Sequence, residues 1–221
     1  MIDKVLSLEP AFDILIVDDN SPDGTAEIVK KYRDVTCVHL MEREGKQGLG
    51  TAYIAGFKWC LEQGYNYVFE MDCDFSHNPE DLVRLHAELE AGNFDMVIGS
   101  RYINNVVNVV NWPMGRVLLS YFASAYVRLI TRMKVADATA GFVGYTSKVL
   151  STIDFEKIKF KGYAFQIEMK YTTTRLGFKI KEIPIIFTDR TRGESKMSGG
   201  IIKEALWGVI ALKFKKIKAT D

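Results

Sequence analysis

The 221-residue sequence predicts an α/β domain with a mostly parallel central sheet flanked by helices. Apolar runs bounded by turn residues alternate with helical patterns, which is the order expected of βαβ units. At 48% hydrophobic residues, a chain of this length can bury a full core, and its length fits one domain better than two. Three strand ends carry polar or charged groups, at the place where ligands of such sheets bind.

Strands are predicted near Asp13–Asp18, Thr36–Leu40, Tyr67–Met71 and Met96–Gly99, each a short apolar run closed by polar residues. Between them, helical patterns cover Gly24–Tyr32, Gly50–Gln63 and Pro79–Glu90, with Pro79 suited to a first helical turn. The chain opens on a helix-like Met1–Leu8. In the second half, Trp112–Thr131 reads as a long apolar helix punctuated by Arg116 and Arg128, and Gly141–Tyr145 and Ile180–Thr188 read as further strands. Ile201–Ile217 places Ile202, Leu206, Trp207, Val209, Ile210, Phe214 and Ile217 on one helical arc. Core packing explains that arc as well as membrane contact does, although Lys213, Lys215, Lys216 and Lys218 beside it are what an interfacial anchor would carry. With no linker and no repeat, the second half is expected to close the acceptor side of one crevice.

A formal net charge of +1 gives no reason to expect a nucleic-acid partner. Cys37, Cys60 and Cys73 lack metal-ligand spacing, and their odd number argues for a reduced compartment. No signal-type segment opens the chain, and no stretch reaches the roughly 18 uninterrupted apolar residues of a spanning helix. The protein is therefore expected to be soluble or peripheral.

The site candidates lie at strand ends. Asp72-Cys73-Asp74 closes the run Tyr67–Met71 and suits a hard divalent cation carrying a diphosphate, though an isolated Asp-x-Asp is more often a pair of solvated turn residues. Asp18 and Asp19 end the first strand, where acidic side chains can accept hydrogen bonds from a base or ribose. Ser21 or Asp23 can cap the following helix. Gly45-Lys46-Gln47-Gly48-Leu49-Gly50 fails both the Walker and the dinucleotide templates, so a tight turn is expected there. Arg101, Arg116, Arg190, Arg192 and Lys196 adjoin predicted strand ends, where guanidinium groups could clamp phosphate oxygens. Of the three histidines only His77 adjoins the acidic pair, and a loop-surface position is expected for it.

The motifs run in the order Val17-Asp18-Asp19-x-Ser21-x-Asp23-Gly24-Thr25, Met71-Asp72-x-Asp74-x-x-His77-x-Pro79, Gly99-Ser100-Arg101-Tyr102, Asn111-Trp112-Pro113, Asp137-x-Thr139-x-Gly141-Phe142 and Arg192-Gly193-x-Ser195-Lys196. This series resembles the inverting family 2 glycosyltransferases of the GT-A fold and, within them, the polyprenol phosphate mannosyltransferases. The resemblance spans about Phe12 to Phe214.

It implies a metal-dependent transfer, with Mg²⁺ or Mn²⁺, of a hexose from a nucleotide sugar such as GDP-mannose to a polyprenyl phosphate at the cytoplasmic face of a membrane. Val17 and Asp19 would contact the nucleoside. Asp72, Cys73 and Asp74 would hold the sugar nucleotide and its metal, and Arg101, Arg116, Arg190 and Lys196 would bind phosphates. Asp137 would lie near the sugar. Ser76 stands where some relatives carry a glutamine metal ligand, so its hydroxyl or a water is the expected substitute. Relatives also begin with a strand ending in Pro-Thr-Tyr-Asn-Glu that is not found here, so either a truncated start or an incomplete nucleoside pocket is expected. UDP-glucose as donor, a saccharide acceptor, and a non-catalytic binding protein stay open as alternatives.

Overall fold

The structure is a computed structural model that describes residues 1–103, 106–162, 164–189, 199–215 and 217, with the backbone alone for residues 199–205. The predicted loop Arg190, Arg192 and Lys196 lies outside the described residues.

In chain order the elements are α1 (Ile2–Leu6), β1 (Ile14–Asp18), α2 (Thr25–Lys30), β2 (Val38–Glu42), α3 (Leu49–Glu62), β3 (Tyr67–Glu70), α4 (Asp81–Glu90) and β4 (Met96–Ser100). Three short strands follow, β5 (Tyr102–Ile103), β6 (Val106–Val107) and β7 (Val109–Val110), and then the long helix α5 (Met114–Thr131). The remainder is β8 (Val143–Thr146), α6 (Ser147–Thr152), α7 (Ala164–Arg175), β9 (Ile180–Pro184), β10 (Phe187–Thr188) and α8 (Gly199–Phe214). β2 begins two residues beyond the predicted start. Turns that join Val35 to Tyr32 and Val38 to Val35 occupy the intervening backbone.

β1 and β2 pair in parallel, as a βαβ crossover through α2 requires. The larger sheet runs β3-β8-β4-β9, and β4 and β9 are parallel. β8 enters between β3 and β4 antiparallel to both, so Val143 at its start lies opposite Glu70 and Ile98 near their ends. That topology delivers the loop from Asp137 to Phe142 to the carboxyl ends of β3 and β4, where Gly99 N–H donates to the Phe142 carbonyl.

Leu82, Leu85 and Leu89 repeat with helical spacing on α4 and bury one stripe against Val97, Phe142 and α1's Val5. The opposite face packs Phe57 of α3 with Met96, Ile98, Tyr145, Phe165 and Met169. Full burial of each such side chain contributes about 1.5–3 kcal/mol.

Gly48 and Gly50 show why the glycine-rich segment needs no phosphate. A Cβ at Gly50 would stand 2.6 Å from Phe165 Cδ2 and 2.8 Å from the Phe160 carbonyl, and one at Gly48 would meet Lys161 at 2.8 Å. Backbone contact with the segment before α7 excludes side chains there.

Candidate active site

Asp72 and Asp74 leave β3 into a tight loop at the mouth of the sheet. Phe75 turns it with φ at 62°, an uncommon conformation for a bulky side chain, and Ser76 N–H donates to Asp74 Oδ1 at 3.0 Å. The Ser76 carbonyl in turn accepts the Thr188 N–H at 3.1 Å, so β10 is fastened to this loop. Ser76 itself is buried.

His77 corrects the expectation of a surface loop residue. It is 3% exposed, its Nδ1 accepts the Asp72 N–H at 3.3 Å, and its ring lies between Phe142 and Phe187. Burial, with Arg101 adding to it, pushes its pKa down to about 4, so the imidazole is neutral at physiological pH.

The donor set suits a hard divalent cation. Asp72 is half-buried and Asp74 exposed, so substrate phosphate and water oxygens can complete a shell around two carboxylates. Burial, with the charges of Glu70 and Asp72 adding to it, pushes the pKa of the Tyr53 hydroxyl on α3 up.

Two arginines flank this loop. Arg101, at the end of β4, is buried against Asp137: its backbone N–H, Nε and NH2 all donate to that carboxylate at 2.7–3.0 Å. NH2 also reaches Thr139. Burial alone would raise the pKa of Asp137, but the charge and hydrogen bonds of Arg101 outweigh it and the net shift is downward. Asp137 is therefore fully buried behind Arg101 rather than open to solvent.

Arg116 stands in the first turn of α5 and donates from NH1 to both oxygens of Asp189 at 2.8 and 2.9 Å. The two arginines share one aromatic neighbour, with Arg116 Cζ 4.2 Å and Arg101 Cζ 5.5 Å from the Trp112 ring centre.

At the end of β1, Asp19 accepts from Arg43 with both carboxylate oxygens, at 2.6 and 2.8 Å. That hydrogen bonding is the main reason its pKa is lowered. Asp18 is buried and accepts the Ser21 N–H, while Asp23 Oδ1 accepts the Thr25 N–H at the start of α2. Val17 is half-buried on the same strand. Cys73 is exposed between Asp72 and Asp74.

Three supporting residues escaped sequence reasoning. Glu182 on β9 takes the backbone N–H groups of Ala136 and Asp137 with its two oxygens, at 2.6 and 2.9 Å. Lys170 on α7 donates to the Ala140 carbonyl at 2.6 Å. Glu70, two residues before Asp72, is buried and accepts from the Tyr145 hydroxyl at 3.0 Å. Burial raises its pKa to about 7 against the opposing charge of Lys170. An acid inside the apolar run Tyr67–Met71 was the one visible signal among them.

Residues 1–154 match the sequence signature of Glycosyl transferase family 2. The chain belongs to this family. An undecaprenyl-phosphate mannosyltransferase of Micrococcus luteus is 45% identical over 208 residues, covering 91% of this chain and 84% of the relative. A polyprenol monophosphomannose synthase of Mycolicibacterium smegmatis is 44% identical over 207 residues, covering 90% and 77%. Among solved structures, glucosyl-3-phosphoglycerate synthase of Mycobacterium tuberculosis, in complex with Mn²⁺, UDP-glucose and phosphoglyceric acid, superposes with a TM-score of 0.67. That match covers 96% of this chain and 72% of the other at 17% identity, which establishes a shared fold. The family 2 chain is thus a glycosyltransferase of the GT-A type, as its motif order implies.

Proposed function

We propose that this family 2 enzyme transfers mannose from GDP-mannose to a polyprenyl monophosphate, with inversion at the sugar. The observation that carries the reading is the pairing of an Asp72/Asp74 cation site with two guanidiniums gathered over Trp112, in a chain 45% identical to a named lipid-phosphate mannosyltransferase. Val17 and Asp19 contact the nucleoside, and the Arg43 contact keeps Asp19 ionised as an acceptor.

Asp72 and Asp74, with Ser76 or a water beside them, would hold Mg²⁺ or Mn²⁺, whose chemistry there is Lewis-acid neutralisation of the leaving diphosphate. Cys73 lies between these ligands against the sugar nucleotide. Arg116 and Arg101 orient and neutralise phosphate, and Arg190 and Lys196, beyond the described residues, are assigned the same task. Asp137 acts by fixing Arg101. The acceptor phosphate is already anionic at neutral pH, so the attack needs no strong base, in keeping with a His77 that is neutral, buried and engaged through Nδ1.

The polyprenyl acceptor calls for a peripheral position at the cytoplasmic membrane face. No helix among the described residues is long and apolar enough to cross a membrane. Instead α5 and α8 pack side by side and leave Met114, Phe122 and Leu129 of one and Trp207 and Phe214 of the other exposed. Among the described residues of the predicted C-terminal arc, Val209 is buried in a core cluster with Leu212 and Ile217 packs against it, while Leu206, Trp207, Ile210 and Phe214 are exposed, so one side of α8 serves as core and the other is open.

The test is transfer from radiolabelled GDP-mannose and UDP-glucose to a polyprenyl phosphate with Mn²⁺. Mannose transfer that is lost in Asp72→Asn and Asp74→Asn supports the reading. Preference for UDP-glucose would replace the donor, and near-normal rates in either variant would remove the cation assignment.

A further inference from the structure

Trp112 stands between the phosphate-binding candidates without itself carrying charge. Its ring centre is 4.2 Å from Arg116 Cζ and 5.5 Å from Arg101 Cζ, and Phe187 packs edge-on against it at 5.3 Å. The indole is fixed from its own chain as well. Asn111 before it holds φ at 63°, and Pro113 after it restricts its backbone and starts α5. Each guanidinium also has a separate carboxylate: Asp137 and Thr139 take Nε and NH2 of Arg101, and Asp189 takes NH1 of Arg116. Neither pair engages NH1 of Arg101 or Nε and NH2 of Arg116.

Asp137 and Asp189 balance the two charges separately, so neither carboxylate keeps the remaining like-charge repulsion from separating Arg116 from the fixed Arg101. An aromatic face presents negative charge density to both and opposes that separation. Tyr102 and Phe187 add further contacts to Arg101, at 5.3 and 5.6 Å, but Trp112 is the ring that contacts both arginines. We propose that Trp112 is a positioning residue, whose indole holds Arg101 and Arg116 together as one clamp for the phosphate monoester of the acceptor. This rests on the acceptor assignment above. The clamp acts on binding and orientation of the phosphate; the indole touches no reacting atom.

The experiment compares wild type, Trp112→Leu and Trp112→Phe by calorimetric titration with farnesyl monophosphate in the absence of donor, with inorganic phosphate, and with GDP plus Mn²⁺. Steady-state rates with varied farnesyl monophosphate accompany the titrations. Trp112→Leu should weaken farnesyl monophosphate binding about 5- to 30-fold, the range that two such contacts supply, and weaken inorganic phosphate in proportion. GDP affinity should stay within about 2-fold, and KM for the acceptor should rise more than kcat falls. Trp112→Phe, which keeps an aromatic face, should regain most of the loss.

Wild-type affinity for farnesyl monophosphate in Trp112→Leu overturns the proposal. So does a Phe variant as impaired as the Leu variant, or an equal loss of GDP binding, which would mark a general structural role. Absence of mannose transfer by the wild type removes the functional reading, and the titrations then decide the clamp independently.

Discussion

Removal of the Asp137 carboxylate should cost this enzyme about 3–5 kcal/mol of stability, the range for breaking a buried ion pair from one side. Asp137 is fully buried and the Arg101 side chain is 10% exposed, so Asp137→Ala leaves a guanidinium with little water to replace its partner. Three Arg101 donors lose their acceptor at once, including a backbone N–H held at 3.0 Å. Such a loss is a fifth or more of the total for a protein of ordinary stability, about 5–15 kcal/mol. Asp137→Asn keeps the volume but not the charge, and should fall between alanine and wild type.

The double variant Arg101→Met/Asp137→Leu replaces both charges with apolar groups, and should be more stable than Asp137→Ala while losing activity. Urea unfolding at pH 7.5, with equal slopes across the set, gives the comparison. An Asp137→Ala protein within 1 kcal/mol of wild type, or a double variant less stable than the single, would refute the argument. Acid titration supplies a second check. Because the folded-state pKa of Asp137 is depressed, its contribution is present above the ordinary carboxylate range and lost as pH falls through the folded value. Asp137→Ala should lack that portion of the acid sensitivity.

Three further outcomes are expected. Burial lowers the Lys170 pKa to about 8 against the attraction of Glu70 and Asp137. The folded state therefore favours the neutral amine, and stability is present above the unfolded pKa near 10.5 and lost as pH falls toward 8. Relative to Lys170→Met, wild type should gain on the order of 2 kcal/mol between pH 8 and 10 in urea unfolding, and parallel profiles would contradict this. Gly50→Ala should destabilise by about 1–3 kcal/mol because Phe165 and the Phe160 carbonyl occupy the Cβ position, as a lowered urea midpoint would show. Trp207→Ser with Phe214→Ser should reduce sedimentation with vesicles containing anionic lipid while leaving GDP affinity unchanged; undiminished sedimentation would place the lipid contact elsewhere.

The sequence made the strand ends legible because each site strand is an apolar run that stops at a charged or polar group. β1 ends at Asp18, β3 runs out at Asp72, and β4 ends at Ser100 before Arg101. Chain order also placed the motifs, but it could not show that β8 runs antiparallel between β3 and β4. That reversal brings Asp137 and Phe142 to the same end of the sheet as Asp72. Nor could it show that His77 is buried, since a histidine beside two acids in a polar loop carries no sign of the aromatic rings that cover it. For Asp19, residue type fitted a nucleoside contact, but its bidentate partner Arg43 lies 24 positions away with no periodic relation to it.

α7 was missed for a reason that bears on the site. Gln166, Glu168, Lys170, Thr172 and Thr173 are all buried, so the helix shows no amphipathic stripe from which to predict it. Two of them, Glu168 and Lys170, answer groups on neighbouring segments. Glu168 accepts the N–H groups of Lys159 and Phe160 and pairs with Lys215 beyond α8, while Lys170 satisfies the carbonyl of Ala140. A loop drawn into the interior leaves backbone donors and acceptors that water cannot reach, and these must find partners in the surrounding elements. Glu182 and Lys170 supply them on either side of the 136–140 segment, and this segment in turn holds Asp137 against Arg101. Part of the polar burial that hides α7 from a periodicity argument, that of Lys170, thus serves to fix Arg101 from behind.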